Sequence, residues 1–244
     1  MTFHKRVTDD GVPIVVNYVP SQKTLLTLPV EERKRLVSSF RNNEAAILFI
    51  GWVEPSDRNT TSQAVNLVGF AAVAEITDVA LLDTTGEIGI QLIGRCKVTE
   101  VVRVDNDGCQ VKVVPHRDTQ KPFENPTLTS MNIQALHSLY DRCNEAEALY
   151  RELQGKSDVA EVVRLRQPLH EKVDEILKKL EEPTEEEIAE WLSFCAMDYH
   201  IDPKARCWAA ELQHTESRLA LVRSALDEKL AKLKIDIRIM KAGV

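Results

Sequence analysis

At 244 residues, with 43% hydrophobic and 28% charged side chains, the chain carries enough apolar material for a substantial core, as one large domain or two small ones. A formal charge of −7 and a pI near 5.5 argue against affinity drawn from phosphate neutralisation, which needs a clustered excess of Lys and Arg. Cys96, Cys109, Cys143, Cys195 and Cys207 are odd in number and follow no framework of spacings, which fits free thiols in a reducing compartment rather than a secreted disulfide scaffold.

Met1 to Val12 mixes Lys5 and Arg6 with Asp9 and Asp10 and leads into no signal-peptide core, so no retained targeting signal is expected. Pro13 to Val19 is a β-branched run that reads as a strand. Leu28 to Phe40 sets Val30, Leu36, Val37 and Phe40 among charges, the pattern of a short amphipathic helix. Ala45 to Val53 (AAILFIGWV) has the length and composition of a buried strand, and the polar stretch Glu54 to Gln63 reads as an exposed loop. Val65 to Ile76 is strand-like again, with Gly69 marking a bend or a close backbone approach. The apolar run from Val68 to Leu82 is broken by Glu75 and Asp78, too short and too charged to cross a bilayer.

Ile88 to Ile93 precedes the clearest local signal, VTEVVRV at 98–104 and CQVKVV at 109–114 around Asn106, Asp107 and Gly108. Alternating β-branched segments flanking turn residues that tolerate positive φ predict a hairpin. From Asp118 to Pro126 the chain changes character, and everything beyond reads as helix. Met131 to Leu153 places Ile133, Leu136, Leu139, Tyr140, Cys143 and Ala146 at helical spacing. Val159 to Leu180 repeats the pattern, with Pro168 expected to kink or interrupt it. Pro183, Thr184 and three following glutamates make a helix start whose acids meet the positive end of the dipole. A short helix opens at Asp202-Pro203 and carries Trp208 and Leu212, and a long one runs from Thr215 to Ile239. The sequence thus predicts an α+β protein with a β-rich part at 1–126 and a helical part at 127–244. The acidity is unevenly shared, with 14 Lys and Arg against 16 Asp and Glu in the first part and 17 against 22 in the second.

Catalytic strings are missing. No Gly-rich loop ends in Lys-Ser or Lys-Thr to cradle phosphates, no GxGxxG turn offers a dinucleotide seat, and no Gly-x-Ser-x-Gly elbow presents a nucleophile. Ser130 and Lys172 occur without a motif joining them as a dyad. Cys195, His200, Cys207 and His214 lack the close pairs of a zinc site, and small buried thiols with surface histidines explain them more simply. The acidic run of Glu181, Glu182, Glu185, Glu186 and Glu187 reads as a solvated helix start. Trp191 and Trp208 are expected to pack in the core. Neither a cofactor nor a metal is predicted, and the chain is expected not to be an enzyme.

Three segments resemble the substrate-binding domain family found at the N-terminus of Lon-type proteases and as stand-alone proteins. LTLPVEERKRLV at 26–37 is similar to the family's helix-entry segment. NLVGFAAVAEITDVALLDTTGEIGIQLIGRCKV at 66–98 resembles its central strands, with Gly69, Ala74, Ile76, Arg95 and Val98 in matching places. The region 185–222 resembles its helical part, closing with Thr215, Arg218 and Leu219 for a Thr-x-x-Arg-Leu signature. Departures are Cys96 where a Phe is usual after the strand arginine, Val30 or Glu31 for the Phe at the helix entry, and an opening strand barely recognisable in Pro13 to Val19.

The resemblance implies a PUA-like β pseudo-barrel followed by a C-terminal helical bundle, and a chain that ends at Val244 before any ATPase or peptidase module. It also implies a protein-binding role, for unfolded segments or a partner subunit, through an apolar groove with a few polar anchors. Trp52, Phe70 and Arg95 are the residues expected near that surface. Membrane insertion is not expected, and the plastid stroma or cytoplasm is the expected compartment, with the mitochondrial matrix also open. Two other readings stay open. One is RNA binding by a PUA-like barrel through a local basic group such as Lys5, Arg6, Arg33, Lys34, Arg35 and Arg41. The other is an assembly subunit that docks through Leu219, Leu221, Val222, Leu226, Leu230 and Leu233 of the terminal helix.

Overall fold

In the computed structural model, residues 23–27, 47–53, 67–78, 87–105, 108–118, 122–155, 167–197 and 201–243 are described. The strand expected at Pro13 to Val19, the helix at Leu28 to Phe40, the loop at Glu54 to Gln63 and the basic group from Lys5 to Arg41 fall outside them. The chain divides into two units, Met1–Arg117 and Asp118–Val244. Antiparallel strands make up the described part of the first and helices that of the second, so the protein is α+β.

The first unit contains β1 (Lys23–Thr27), β2 (Ile47–Val53), β3 (Leu67–Asp78), β4 (Glu87–Asp105) and β5 (Gly108–His116). They form one sheet in the order β1-β4-β3-β2, with β5 also paired to β4. The segments expected as separate strands at 88–93 and 98–104 are one 19-residue strand. Its length lets it pair with β1 near its start and with β5 near its end. The predicted hairpin is present, and Asp105 opposite Gly108 leaves only Asn106 and Asp107 between the strands. Phe70, Ala72, Ala74 and Ile76 on β3 are buried with Ile88, Ile90 and Leu92 on β4, the period-two pattern of a strand with a core face. A Cβ built at Gly69 meets nothing within 4 Å, so close backbone approach does not account for this glycine.

The second unit contains α1 (Pro126–Leu153), α2 (Leu169–Leu177), α3 (Glu185–Cys195), α4 (Pro203–Glu211) and α5 (Thr215–Lys241). Helix α1 begins more than a turn before the predicted Met131. Asn125 caps it by accepting from the Leu128 N–H at 3.0 Å, and Pro126 fits the first turn, where its missing N–H costs nothing. It stops at Gly155, whose φ of +69° belongs to the left-handed region that ends helices. Pro168 stands at the N-cap of α2, and the Asp141 carboxylate of α1 accepts the Leu169 N–H at 3.2 Å. A reciprocal box caps α3: the Thr184 hydroxyl accepts from the Glu187 N–H at 3.2 Å, and the Glu187 carboxylate accepts from the Thr184 N–H at 3.1 Å.

From Ala189 to Met197 every residue is buried, which makes α3 and its exit a central element of this unit. Helices α1 and α5 lie together: Glu216 meets Thr129, Leu226 meets Cys143 and Lys229 meets Glu147. The paired numbers rise together, so the two long helices run parallel. Leu219, Val222, Leu226, Leu230, Leu233 and Ile237 form the buried stripe of α5, while Leu221 is only half-buried. Trp191 is buried as expected, but Trp208 is 57% exposed. The nine-residue α4 buries Ala209 and Ala210 instead, and so short a helix leaves its phase undetermined by sequence periodicity.

Candidate functional site

Strand register assembles the candidate site. On β4, Leu92 lies opposite Ala74 and Gly94 opposite Val73, so Ile93 is an extra residue, a β-bulge. Were Ile93 paired in a regular ladder, Gly94 would stand opposite Ala72. With the bulge, Arg95 takes that place and joins the face of Phe70, Ala72, Ala74 and Ile76. Further along, Arg95 is opposite His116 and Lys97 opposite Val114. Two rows therefore cross three strands on one face, Ala72-Arg95-His116 and Phe70-Lys97-Val114.

The face changes character across these rows. Phe70 and Arg95 are 7% and 4% exposed, His116 is half-buried, and Val114 is 46% exposed beside an exposed Lys97. The Arg95 guanidinium carbon lies 5.8 Å from the Phe70 ring centroid, within cation–π range. The His116 and Phe70 rings meet edge to face at a centroid distance of 5.2 Å and an interplanar angle of 63°. A second bulge, at Thr99, brings Glu100 opposite Lys112, and the two form an exposed ion pair at 2.6 Å. The floor is an aromatic ring between a guanidinium and an imidazole, and the outer row offers one aliphatic and one ammonium group to solvent. Phe70 and Arg95 are thus brought together. The backbone of Trp52 lies in β2 between Gly51, opposite Ala71, and Val53, opposite Leu67, and its side chain lies outside the described residues. Sequence reading missed His116, Lys97 and Val114, because bulges at Thr99 and Val102 shift the β4-β5 pairing by two residues from a count back from the hairpin turn.

Thr215, Arg218 and Leu219, singled out by resemblance, are all buried in the second unit. Arg218 is 0% exposed. Its guanidinium forms an ion pair with Asp118, donates to the Ser193 hydroxyl at 2.7 Å and the Leu212 carbonyl at 2.8 Å, and sits 4.1 Å from the Phe194 ring centroid. The Thr215 hydroxyl donates to the same Asp118 carboxylate. Burial pushes the Arg218 guanidinium down to about 9, against the opposing pull of Glu190. A side chain enclosed in this way holds structure and is not available to a ligand.

The remaining candidates are placed individually. Lys172 donates to the Tyr140 hydroxyl, whereas Ser130 is exposed on the second turn of α1. Cys195 is buried and His214 exposed, while His200 and the side chain of Cys207 lie outside the described residues. Among the described residues no group of three or more His, Cys, Asp or Glu is placed to hold a metal ion. Glu181, Glu182 and Glu185 are exposed, and Glu187 serves the α3 cap. No described helix is long and apolar enough to cross a membrane.

Two solved structures resemble the chain over most of its length. One is the N-terminal domain of the Lon protease of the Mycobacterium avium complex, at 11% identity and a TM-score of 0.46, covering 87% of this chain and 94% of that one. The other is a Lon N-terminal domain protein from Xanthomonas campestris, at 12% identity and a TM-score of 0.41, covering 85% and 91%. No family model and no curated protein matches the sequence.

Proposed function

We propose that this protein is a non-catalytic protein-binding module of the Lon N-terminal type, recognising unfolded segments or a partner subunit as an adaptor or assembly factor. The observation that carries this reading is the three-strand face on which Phe70 and Arg95 form a buried floor and Lys97 and Val114 an exposed rim. The exposed Val114 and Lys97 suit contact with an extended polypeptide, whose side chains alternate, and the buried Phe70 and Arg95 hold that rim in place. Trp52, at the β2 irregularity alongside β3, belongs to the same proposed surface.

The reading is tested by titrating the intact chain into a fluorescently labelled, reduced and carboxymethylated unfolded protein, followed by anisotropy. Val114→Asp and Lys97→Glu alter exposed positions, so both variants should fold while binding at least about tenfold more weakly. Absence of binding by the unaltered chain, or binding indifferent to both changes, overturns the proposal. The same titration with single-stranded RNA discriminates the alternative: RNA affinity that falls steeply with salt would replace the protein-binding reading.

A further inference from the structure

Opposite its buried stripe, α5 carries a second apolar feature near its C-terminal end. Ile235 and Ile239 stand one turn apart and are 56% and 48% exposed. At about 100° per residue they lie about 40° apart around the helix, with Lys232 and Arg238 about 60° to either side of Ile235. Both cations are exposed, as are Lys234 and Lys241. From Leu230 to Lys241 the helix thus carries four cationic side chains and a single acid, the half-buried Asp236, in a chain whose formal charge is −7. Among the described residues none of the four makes an ion pair, whereas Lys229, just before them, is paired with Glu147 at 3.3 Å. The negative end of the helix dipole accounts for Arg238 and Lys241 in the last turn. It does not reach Lys232 and Lys234, and it gives no reason for two exposed isoleucines on one stripe.

We propose that this face docks an acidic amphipathic helix of a partner protein. The partner's apolar side chains lie along Ile235 and Ile239, and its carboxylates flank that seam and meet Lys232 and Arg238. Two helices packed along a seam with a period of about three and a half residues, with charges at its edges choosing the partner, have this layout. The strip is one isoleucine wide, which suits a single helix, whereas a lipid surface takes up a broad apolar face. Charge supplies the selectivity, because a basic helix laid on the same seam is repelled. None of the sheet-face residues takes part, so the inference goes beyond the binding proposed there and stands or falls separately.

The test is fluorescence anisotropy with the intact chain and a labelled synthetic peptide of about three heptads, with leucine at a and d and glutamate at e and g. The unaltered protein should bind it, less tightly as salt is raised. It should prefer this peptide by at least about tenfold over the same peptide with lysine for glutamate, the reverse of what the net charge alone would give. Ile235→Asp should weaken binding at least about tenfold. The double variant Lys232→Glu, Arg238→Glu should reverse the preference, losing the glutamate peptide and gaining the lysine one. These positions are exposed, so the variants should keep the thermal transition of the unaltered chain. Absence of binding by the unaltered chain overturns the proposal, and so does binding that ignores these changes or is lost instead in Val114→Asp. Uptake by phosphatidylcholine–phosphatidylserine vesicles without peptide binding would overturn it in favour of a lipid surface, and a dimer in sedimentation that Ile235→Asp dissolves, in favour of a second copy of the chain.

Discussion

The sheet unit and the helical unit position charged groups by opposite means. In the sheet, Arg95 stands on an apolar face because the ladder skips Ile93, and it is met there by the ring of Phe70, which His116 also contacts. In the helical unit, Arg218 is placed by ordinary helical phase but enclosed by a full set of partners: Asp118, Ser193, Leu212 and Phe194. The first arrangement grades outward to solvent at Lys97 and Val114 and suits recognition. The second is closed on all sides and suits fixation. An arginine within a family-like signature is therefore no guide to function until its surroundings are known.

The contrast is sharpened first by the largest change. Truncation before Asp227 removes Leu230, Leu233 and Ile237 from the buried stripe of α5 and should unfold the helical unit, read as loss of its cooperative thermal transition. A folded truncate that merely lost a partner would make the stripe a docking element. Arg218→Ala should destabilise the helical unit by about 3–5 kcal/mol in urea denaturation, because it strands a buried Asp118 carboxylate. A loss under about 1 kcal/mol would show that water replaces the guanidinium and that the enclosure is looser than described. Phe70→Ala should cost the sheet unit about 3 kcal/mol and weaken polypeptide binding with it, whereas Arg218→Ala should leave binding at the sheet face intact.

Acid provides a finer test. Burial works to raise the Glu216 carboxyl, but the hydrogen bonds from Thr129, Glu124 and Asn125 outweigh it, with help from His214, and hold it below its ordinary value. A folded-state value below the unfolded one means stability that is present above the ordinary glutamate range and lost as pH falls through the folded value. Glu216→Gln should therefore flatten the acid limb of the stability profile, and an unchanged limb would remove Glu216 from the account. The smallest effect belongs to the sheet surface. Lys112→Ala breaks an exposed ion pair with Glu100 and should shift stability by no more than about 0.5 kcal/mol.

Much of this architecture was legible beforehand where local chemistry decides the outcome. The β4-β5 hairpin and the Thr184 cap each depend on a few neighbouring residues and stand where the sequence put them, while Pro168 stands at the N-cap of α2. What could not be read depends on distant partners. The bulges at Ile93, Thr99 and Val102 exist only as mismatches between strands, so the rows that set His116 beside Arg95 and Val114 beside Lys97 could not be assigned. Asp118 carries no local mark of its role because its partners Thr215 and Arg218 come from the far end of the chain. Trp208 was misread as core because four apolar neighbours in a short helix suit more than one phase.

The bulge at Ile93 has a consequence for how β4 tolerates change. Leu92 is already opposite Ala74, Gly94 opposite Val73 and Arg95 opposite Ala72, so the pairing skips Ile93 altogether. Deleting Ile93 would convert the bulge into regular ladder and leave Arg95 and Lys97 facing the same partners, with only local twist surrendered. Deletion of Val73 from the partner strand would instead push the mismatch outward and misalign the site. Near its middle, then, β4 holds a spare residue, a place where the loss of one codon changes the curvature of a sheet and spares its chemistry.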